Sequence, residues 1–583
     1  MLAKLRSAGL AACLAVAAAQ NAEAQTIYPL DRAEILAGSR FDLKVEFPAS
    51  VPQADTSVTI NGQPAAQFFG KSATFLAGEE GLPLNAIWIK DAEIKKPGKY
   101  IVEAKAADKS SRVTWEVFGT PGERKAKNVI LFIGDGMSVA HRTAARILSK
   151  GIKEGHYGGE LAIDDMPHMA LISTAGTDSV VTDSANSMAA YTTGHKSCAN
   201  ALGVYCAKNK DSLAHPRVET LTSIVKRKLN VAVGVVTNTE IEDATPAGMV
   251  ANTRRRSDFG HIVRMFSDQQ PDVIMGGGTP WFLPKSAEGS RRDDEVDYIQ
   301  KFKDLGYTFV THDSGMKAAG ADPKTRKLLG LFNNGNIDGA LDRRILKKGT
   351  VGRYPDQPDL VDMVKTSLGI LSKKREGFVL MVESGRIDKY THALDWERAV
   401  YDTIMLDNAV KAAKDWAKKR NNDTLIIVVP DHTHPISIIG TVDDNRPGTR
   451  LRDKIGTYAE AGFPNYPAPD ADGYPGTVDV SRRLALTFGA FPDHCTSGKP
   501  FLNEHFKPTV ADADGKTQIA NETFCAPGAT RYQGNLPVTA ASGVHSGDDG
   551  ILTAMGPGAE RFKGHLENTR VFRYIAQALG LGK

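Results

Sequence analysis

Three short apolar runs in this chain are each followed at once by acids and histidines. VILFIGDGM delivers Asp135. FVLMVESGRIDKYTH delivers Glu383, then Asp388 and His392. LIIVVPDHTH delivers Asp431, His432 and His434. Such runs read as strands buried on both faces, and open α/β sheets collect ligands at the carboxyl ends of their strands. Asp388 and His392 are four residues apart, so a helix there presents both on one face, a spacing that suits chelation of one metal ion. Asp431 and His432 are adjacent, in a turn that can aim both inward. Mixed nitrogen and carboxylate ligands suit zinc, and oxygen ligands alone suit magnesium. Taken singly, each feature has a plain structural explanation: an acid after a strand often caps a helix, and an Asp-x-x-x-His pair arises by chance. Their repetition at successive strand ends points to chemistry.

A further stretch, TDSANSMAAYTTGHK (182–196), crowds hydroxyls at a predicted helix start. Asp183 or Ser184 could cap the first free N–H groups. A serine hydroxyl is a weak nucleophile until a base or a metal activates it. The choice between cap and nucleophile therefore rests on residues far away in the chain.

The elements that must position these groups follow from periodicity. Together with VAVGVV (231–236) and VIM (273–275), the apolar runs predict an α/β domain, a large and mostly parallel sheet sandwiched by helices. Upstream, from Gln25 to about Gly119, the alternation has period two: Phe41, Leu43, Val45 and Phe47, then Tyr100, Val102 and Ala104, then Val113, Trp115 and Val117. Val58 and Ile60 precede an Asn61-Gly62 turn signal. This predicts a small all-β, Ig-like sandwich over residues 25–119, without any cluster of candidate ligands. A polar linker, GTPGERKAKN (119–128), separates the two regions. From about 436 to 541, Pro, Gly, Asp and Asn are frequent, and the chain makes a long excursion from the sheet. An excursion of that length should carry some fold of its own, and a short helix is expected over 481–488.

The 583 residues, 41% hydrophobic and 24% charged, fit a globular protein with one large domain and a smaller one. Residues 1–24 read as a secretory signal peptide. Lys4 and Arg6 precede an apolar run from about Ala8 to Ala19, and Ala22-Glu23-Ala24 offers a small-x-small cleavage site. The protein is thus expected to be exported, to a periplasm or out of the cell. No other run is long enough to span a membrane. The formal net charge of +4 falls to about +3 without that segment, too mild to imply a nucleic-acid partner. Cys198, Cys206, Cys495 and Cys525 then remain, an even number that predicts disulfides, with local pairing of Cys198 to Cys206 and Cys495 to Cys525 favoured among three connectivities. None has C-x-x-C spacing, which argues against a thiolate zinc site.

In order along the chain, FIGDGM, TDSANSMAAYTTGHK, EDATPAGMVANTRRR, MGGG, LLGLF, VESGRIDKYTHA, PDHTH and GVHSGDDG resemble the alkaline phosphatases. The resemblance marks 128–583 as the catalytic domain and leaves the β module outside. It implies Ser184 as the nucleophile that forms a phosphoserine intermediate. It implies two Zn²⁺ and one Mg²⁺ per chain. Asp388, His392 and His545 match the first zinc site. Asp135, Asp431 and His432 match the second, completed by Ser184. Asp135, Thr245 and Glu383 match the magnesium site. Arg256, thirteen residues after Asp243, matches the arginine that grips two phosphate oxygens, with Arg254 and Arg255 as neighbouring alternatives. Asp243, Lys389 and His434 match residues that support the metals and phosphate. The metal charge outweighs the four carboxylates, so the site attracts a phosphate-monoester dianion. The resemblance further implies small phosphate monoesters as substrates and a homodimer, whose interface the β module could block or replace. PDADG (469–473) and DADG (512–515) hint at an additional Ca²⁺, although both fall short of a full calcium loop.

Two other readings compete. A phosphodiesterase of the same superfamily would share the two-metal core, but Thr245 and Glu383 argue for a third metal and Arg256 for a monoester with two free oxygens. A sulfatase needs a C-x-P-S-R-type motif, which is missing. A non-catalytic phosphate-binding protein on this fold would normally have lost a ligand or the nucleophile, and every expected position is filled.

Overall fold

The computed structural model describes residues 25–582, so the signal-peptide reading lies outside the described residues. The chain divides into two compact units. The smaller takes the described residues to Ala33 with 42–92 and 99–116, and the larger takes 34–41, 93–98 and 117 onward.

The larger unit is built on a ten-stranded sheet. Its order is Thr308–Val310, Leu328–Leu331, Val273–Gly277, Ala232–Glu240, Phe378–Ser384, Asn128–Gly134, Thr424–Val429, Gly550–Met555, His168–Ser173 and Gly564–Glu567. All neighbours are parallel except at Gly550–Met555, which runs antiparallel to both strands beside it. The continuous apolar runs are explained by two cores, one on each face. Val129, Leu131 and Ile133 enter one core with Val379, Met381, Leu425 and Ile427; Ile130 and Phe132 enter the other with Leu380, Val382, Ile426 and Val428. Successive side chains point to opposite faces, so a strand covered on both sides must be apolar at every position. Helices Leu221–Leu229, Phe259–Gln269 and Thr569–Leu579 cover the first face. Val139–Lys150, Leu360–Leu371 and Trp396–Lys418 cover the second.

The 436–541 excursion has its own small sheets. The helix expected over 481–488 is instead a strand, Arg482–Phe488, paired antiparallel with Ile436–Asp443. The register shift between Ile438 and Gly440 places its extra residue, Ile439, in the partner strand. The Leu-Ala-Leu core of the segment favours a helix locally, and cross-strand pairing overrides that preference. Cys495 and Cys525 are joined within the excursion, and Cys198 and Cys206 within the loop after the Ser184 helix. The acids that hinted at calcium are engaged in turns and pairs: Asp470 and Asp472 both accept from Arg344, and Asp514 accepts from Thr517.

The smaller unit consists of antiparallel strands. Thr26–Tyr28 pairs with Arg40–Pro48, Thr74–Leu76 with Leu84–Glu93, and Thr56–Ile60 with Gly98–Ala106. Tyr100, Val102, Ala104 and Ala106 are buried while Ile101 and Lys105 are exposed, the pattern of a sheet covered on one face. Asn61 and Gly62 both have positive φ, the hairpin geometry their sequence predicts. Trp115 is fully buried and donates its Nε1–H to the Pro29 carbonyl at 2.9 Å.

Candidate metal centre

All the chemistry-bearing residues named from the sequence lie in the larger unit, at one edge of its sheet. Asp135 follows the strand Asn128–Gly134; Glu383 is the penultimate residue of Phe378–Ser384; Asp431, His432 and His434 follow Thr424–Val429. Asp388 and His392 lie on the helix Arg386–His392. His545 precedes the strand Gly550–Met555, and because that strand runs antiparallel, the residues before it reach the same edge as residues after its neighbours.

Ser184 is the first residue of the helix Ser184–Thr193. Asp183 is its cap, accepting from the N–H groups of Ala185 at 2.7 Å and Asn186 at 3.2 Å. The capping task is thereby met, and Ser184 Oγ turns to His432 Nε2 at 3.3 Å. Tyr191 on the same helix donates to the Pro430 carbonyl at 2.7 Å, tying the helix to the segment that carries Asp431.

Asp388, His392 and His545 converge. Asp388 Oδ1 lies 3.2 Å from His392 Nε2 and 3.4 Å from His545 Nε2, and the two nitrogens are 3.0 Å apart. Both rings are fixed from behind: His392 Nδ1 donates to the Gly543 carbonyl at 2.6 Å and His545 Nδ1 to the Thr182 carbonyl at 2.8 Å. Carbonyls only accept, so both Nδ1 atoms carry hydrogen, and in the neutral rings both Nε2 atoms aim lone pairs at one point. Such a cluster needs a positive centre. A proton on His392 is one such centre: burial opposes that charge, but Asp388 outweighs burial and raises His392 above its ordinary value. A metal ion supplies it where imidazole is neutral. Ligands of a tetrahedral ion with bonds of about 2.0–2.1 Å lie about 3.3–3.4 Å apart, close to the observed spacing. His434 Nε2 bonds Asp388 Oδ1 at 2.7 Å and orients it.

A second group adjoins the first. His432 Nε2 lies 3.2 Å from Asp135 Oδ1 and 3.5 Å from Asp431 Oδ2. The other oxygen of Asp431 accepts from the N–H groups of Gly136 at 3.1 Å and His432 at 2.9 Å. Asp135 Oδ1 and Asp431 Oδ2 are buried without a hydrogen-bond partner among the described residues, as is Thr245 Oγ1 in the Asp243-capped helix Ala244–Ala247. Buried orphan oxygens of this kind are what a cation would satisfy. Glu383 is half served, with Thr237 Oγ1 and Thr239 Oγ1 (3.1 Å) donating to one oxygen.

Arg256 is the arginine that reaches the site. Its Nη2 donates to Asp243 Oδ1 at 2.7 Å and its Nη1 lies 4.0 Å from Asp183, whereas Arg254 donates to the Ala199 carbonyl at 2.9 Å. Lys389 meets the other Asp243 oxygen at 2.9 Å. Burial opposes the Asp243 charge, but Lys389 and Arg256 outweigh it and hold the carboxylate well below its usual range.

The carboxylates repel one another. Burial, then Asp431, Asp388 and Glu383, push Asp135 well above its ordinary value. Burial also pushes Asp431 up to about 6 and Glu383 up to about 7. Folded values raised above the unfolded ones, about 4 for a carboxylate, contribute stability that is present below pH 4 and lost as pH rises through 6 and 7. Metal binding requires these groups ionised and reverses the loss. Thermal unfolding with and without chelator should therefore show a Tm gap that widens from pH 5 to pH 8. A gap independent of pH would contradict this account.

Several supporting residues had no sequence signal. Ser138 Oγ donates to the His434 carbonyl at 2.6 Å and accepts from its N–H at 2.9 Å, clamping two strand-end loops together. Gly136 has φ +67°, and a Cβ there would lie 2.6 Å from the His434 ring. Thr237 and Thr239, which serve Glu383, are two ordinary strand-end threonines in the sequence.

A family model described as alkaline phosphatase matches residues 126–581. The chain is 32% identical over 358 residues to the tissue-nonspecific isozyme of alkaline phosphatase from Gallus gallus, covering 55% of this chain and 66% of that protein, just under two thirds of its length. It is 31% identical over 363 residues to the alkaline phosphatase of Escherichia coli strain K12, covering 56% and 74%. It is 29% identical over 500 residues to the membrane-bound alkaline phosphatase of Bombyx mori, covering 78% and 80%. Among solved structures, alkaline phosphatase from Thermus thermophilus superposes with a TM-score of 0.55 at 23% identity, covering 79% of this chain and 93% of that one. The enzyme of the Antarctic bacterium TAB5 gives 0.53 at 20%, covering 79% and 100%. At those identities the structures establish the fold. No helix of the described residues is long and apolar enough to cross a membrane.

Proposed function

The chain belongs to the alkaline phosphatase family, and from that premise we propose that it hydrolyses phosphate monoesters through a phosphoserine at a site for two Zn²⁺ and one Mg²⁺. Asp388, His392 and His545 would hold one zinc. Asp135, Asp431 and His432, with Ser184 Oγ, would hold the other. Asp135, Thr245 and Glu383 would hold magnesium. The observation that carries this reading is the pair of fixed histidine nitrogens 3.0 Å apart on one Asp388 oxygen, with an adjoining serine freed of capping duty.

When bound, the metal ions lower the pKa of the serine hydroxyl and of a water, and stabilise charge on the leaving oxygen. Ser184, at a helix N-terminus whose dipole favours negative charge, attacks phosphorus as the bond to the leaving alcohol breaks. Arg256, already aimed by Asp243, holds two phosphoryl oxygens in its planar fork. Water then attacks the phosphoserine and Ser184 regains its proton. Export of the protein, with residues 1–24 removed and two disulfides formed, is part of the same reading.

The test is hydrolysis of p-nitrophenyl phosphate at alkaline pH. Turnover should vanish with a chelator and return with Zn²⁺ and Mg²⁺, and bis(p-nitrophenyl) phosphate should be a far poorer substrate. Turnover indifferent to the chelator would sink the proposal. Changing Arg256 to Ala should lower kcat/KM by roughly 10²–10³-fold and weaken inhibition by phosphate. Lys at that position should recover little, because an ammonium cannot make the bidentate contact. Equal losses for monoester and diester would argue against its assigned role.

A further inference from the structure

Outside the metal centre, a cavity of about 170 Å³ lies between the start of the helix Trp396–Lys418 and the strands of the 436–541 excursion. Trp396, Phe488, Phe491 and Phe506 form part of its wall. Ile439 and Lys499 also line it and are 43% and 47% exposed, which places its mouth beside them. Glu397 faces the same cavity although the residue is only 5% exposed.

Arg398 and Arg483 attract the Glu397 carboxyl through space, but their hydrogen bonds go elsewhere. Arg398 donates to Asp395 at 2.6 Å and to both oxygens of Asp342 at 2.9 Å. Arg483 donates to the Gly498 carbonyl at 2.8 Å, and at 3.1 Å to Asp444 and to the Val480 carbonyl. Lys499 pairs with Asp444, and His494 donates through Nδ1 to the Pro492 carbonyl at 2.9 Å. Apart from its own backbone N–H, the Glu397 carboxyl has no hydrogen bond or ion pair among the described residues. Burial, then Asp395, push it up to about 8. Arg483 and Arg398 pull the other way without cancelling burial, so the ionised carboxylate stays costly in its buried place on the cavity wall.

We propose that this cavity binds a small arylalkyl ammonium ion, its ring against the aromatic wall and its ammonium on Glu397. The size fits, since apolar cavities of about 150 Å³ accept benzene, and the extra volume admits a short charged arm. Aromatic faces attract both a ring and a cation, and a single carboxylate selects a single positive charge. No phosphate is involved, so the site is independent of the proposed hydrolysis.

Calorimetric titration of the metal-loaded protein at pH 9 tests this, with benzylammonium chloride and benzyl alcohol as probes. Benzylammonium should bind at least about tenfold more tightly than the alcohol. Glu397→Gln should abolish that preference while p-nitrophenyl phosphate turnover is retained. Leu486→Trp, at a half-buried position on the wall, should weaken both probes, and it tests the same cavity if the Gln variant fails to fold. Absence of benzylammonium binding, equal affinity for the two probes, or unchanged binding in either variant would overturn the proposal.

Discussion

Replacing Ser184 with Ala should lower turnover of phosphate monoesters by roughly 10³–10⁶-fold while leaving zinc bound. The reason is geometric. Ser184 Oγ faces His432 Nε2 at 3.3 Å, whereas the helix start it occupies is capped by Asp183. Removing the hydroxyl takes away the proposed nucleophile but no cap, so the helix should remain. Acid quenching after a labelled substrate should trap phosphoserine in the parent and none in the variant, and metal analysis should return the same zinc content for both. Ser187 is the control. Its Oγ meets Thr182 Oγ1 at 3.1 Å inside the protein, so Ser187→Ala should cost about 1 kcal/mol of stability and little turnover. If both variants behaved alike, the wrong serine would have been assigned.

Replacing Asp388 with Ala should have a comparably large effect by another route. The Asp388 carboxylate is almost wholly buried and lies within 3.4 Å of His392, His434 and His545. Burial works against its charge, but His392, with His434 bonding to it, outweighs burial and holds it well below the usual carboxylate range. Without it, two imidazoles share a point with no anion to balance a divalent ion. Zinc content should fall by one equivalent per chain and turnover by at least about 10³-fold. His434→Ala removes only the group that orients Asp388, so metal affinity should drop about 10–100-fold and excess zinc should restore activity. Full zinc content in the Asp388 variant would refute the assignment.

Local properties of the chain made much of this legible. A strand covered on both faces must be apolar throughout, so the sheet strands carrying Asp135, Glu383 and Asp431 could be read from composition alone. The four-residue spacing of Asp388 and His392 also survives into the structure, because helical periodicity is fixed by the backbone. The strand Arg482–Phe488 was not legible: its Leu-Ala-Leu core favours a helix locally, and its pairing partner is supplied from outside the segment. Nor was the grip of Ser138 on His434, a contact between residues 296 apart.

The sequence by itself determined which residue types stand at the strand ends and which hydroxyl heads the helix, since strand termination and capping are short-range matters. Tertiary structure decided what those residues meet. His545 joins His392 across 153 residues because one antiparallel strand returns it to the shared edge. Arg256, rather than Arg254, faces Asp243 because of where the intervening loop turns back. Asp431 keeps one oxygen free because two backbone N–H groups occupy the other. Each is a convergence of distant segments, and only packing of the whole sheet brings them to one edge.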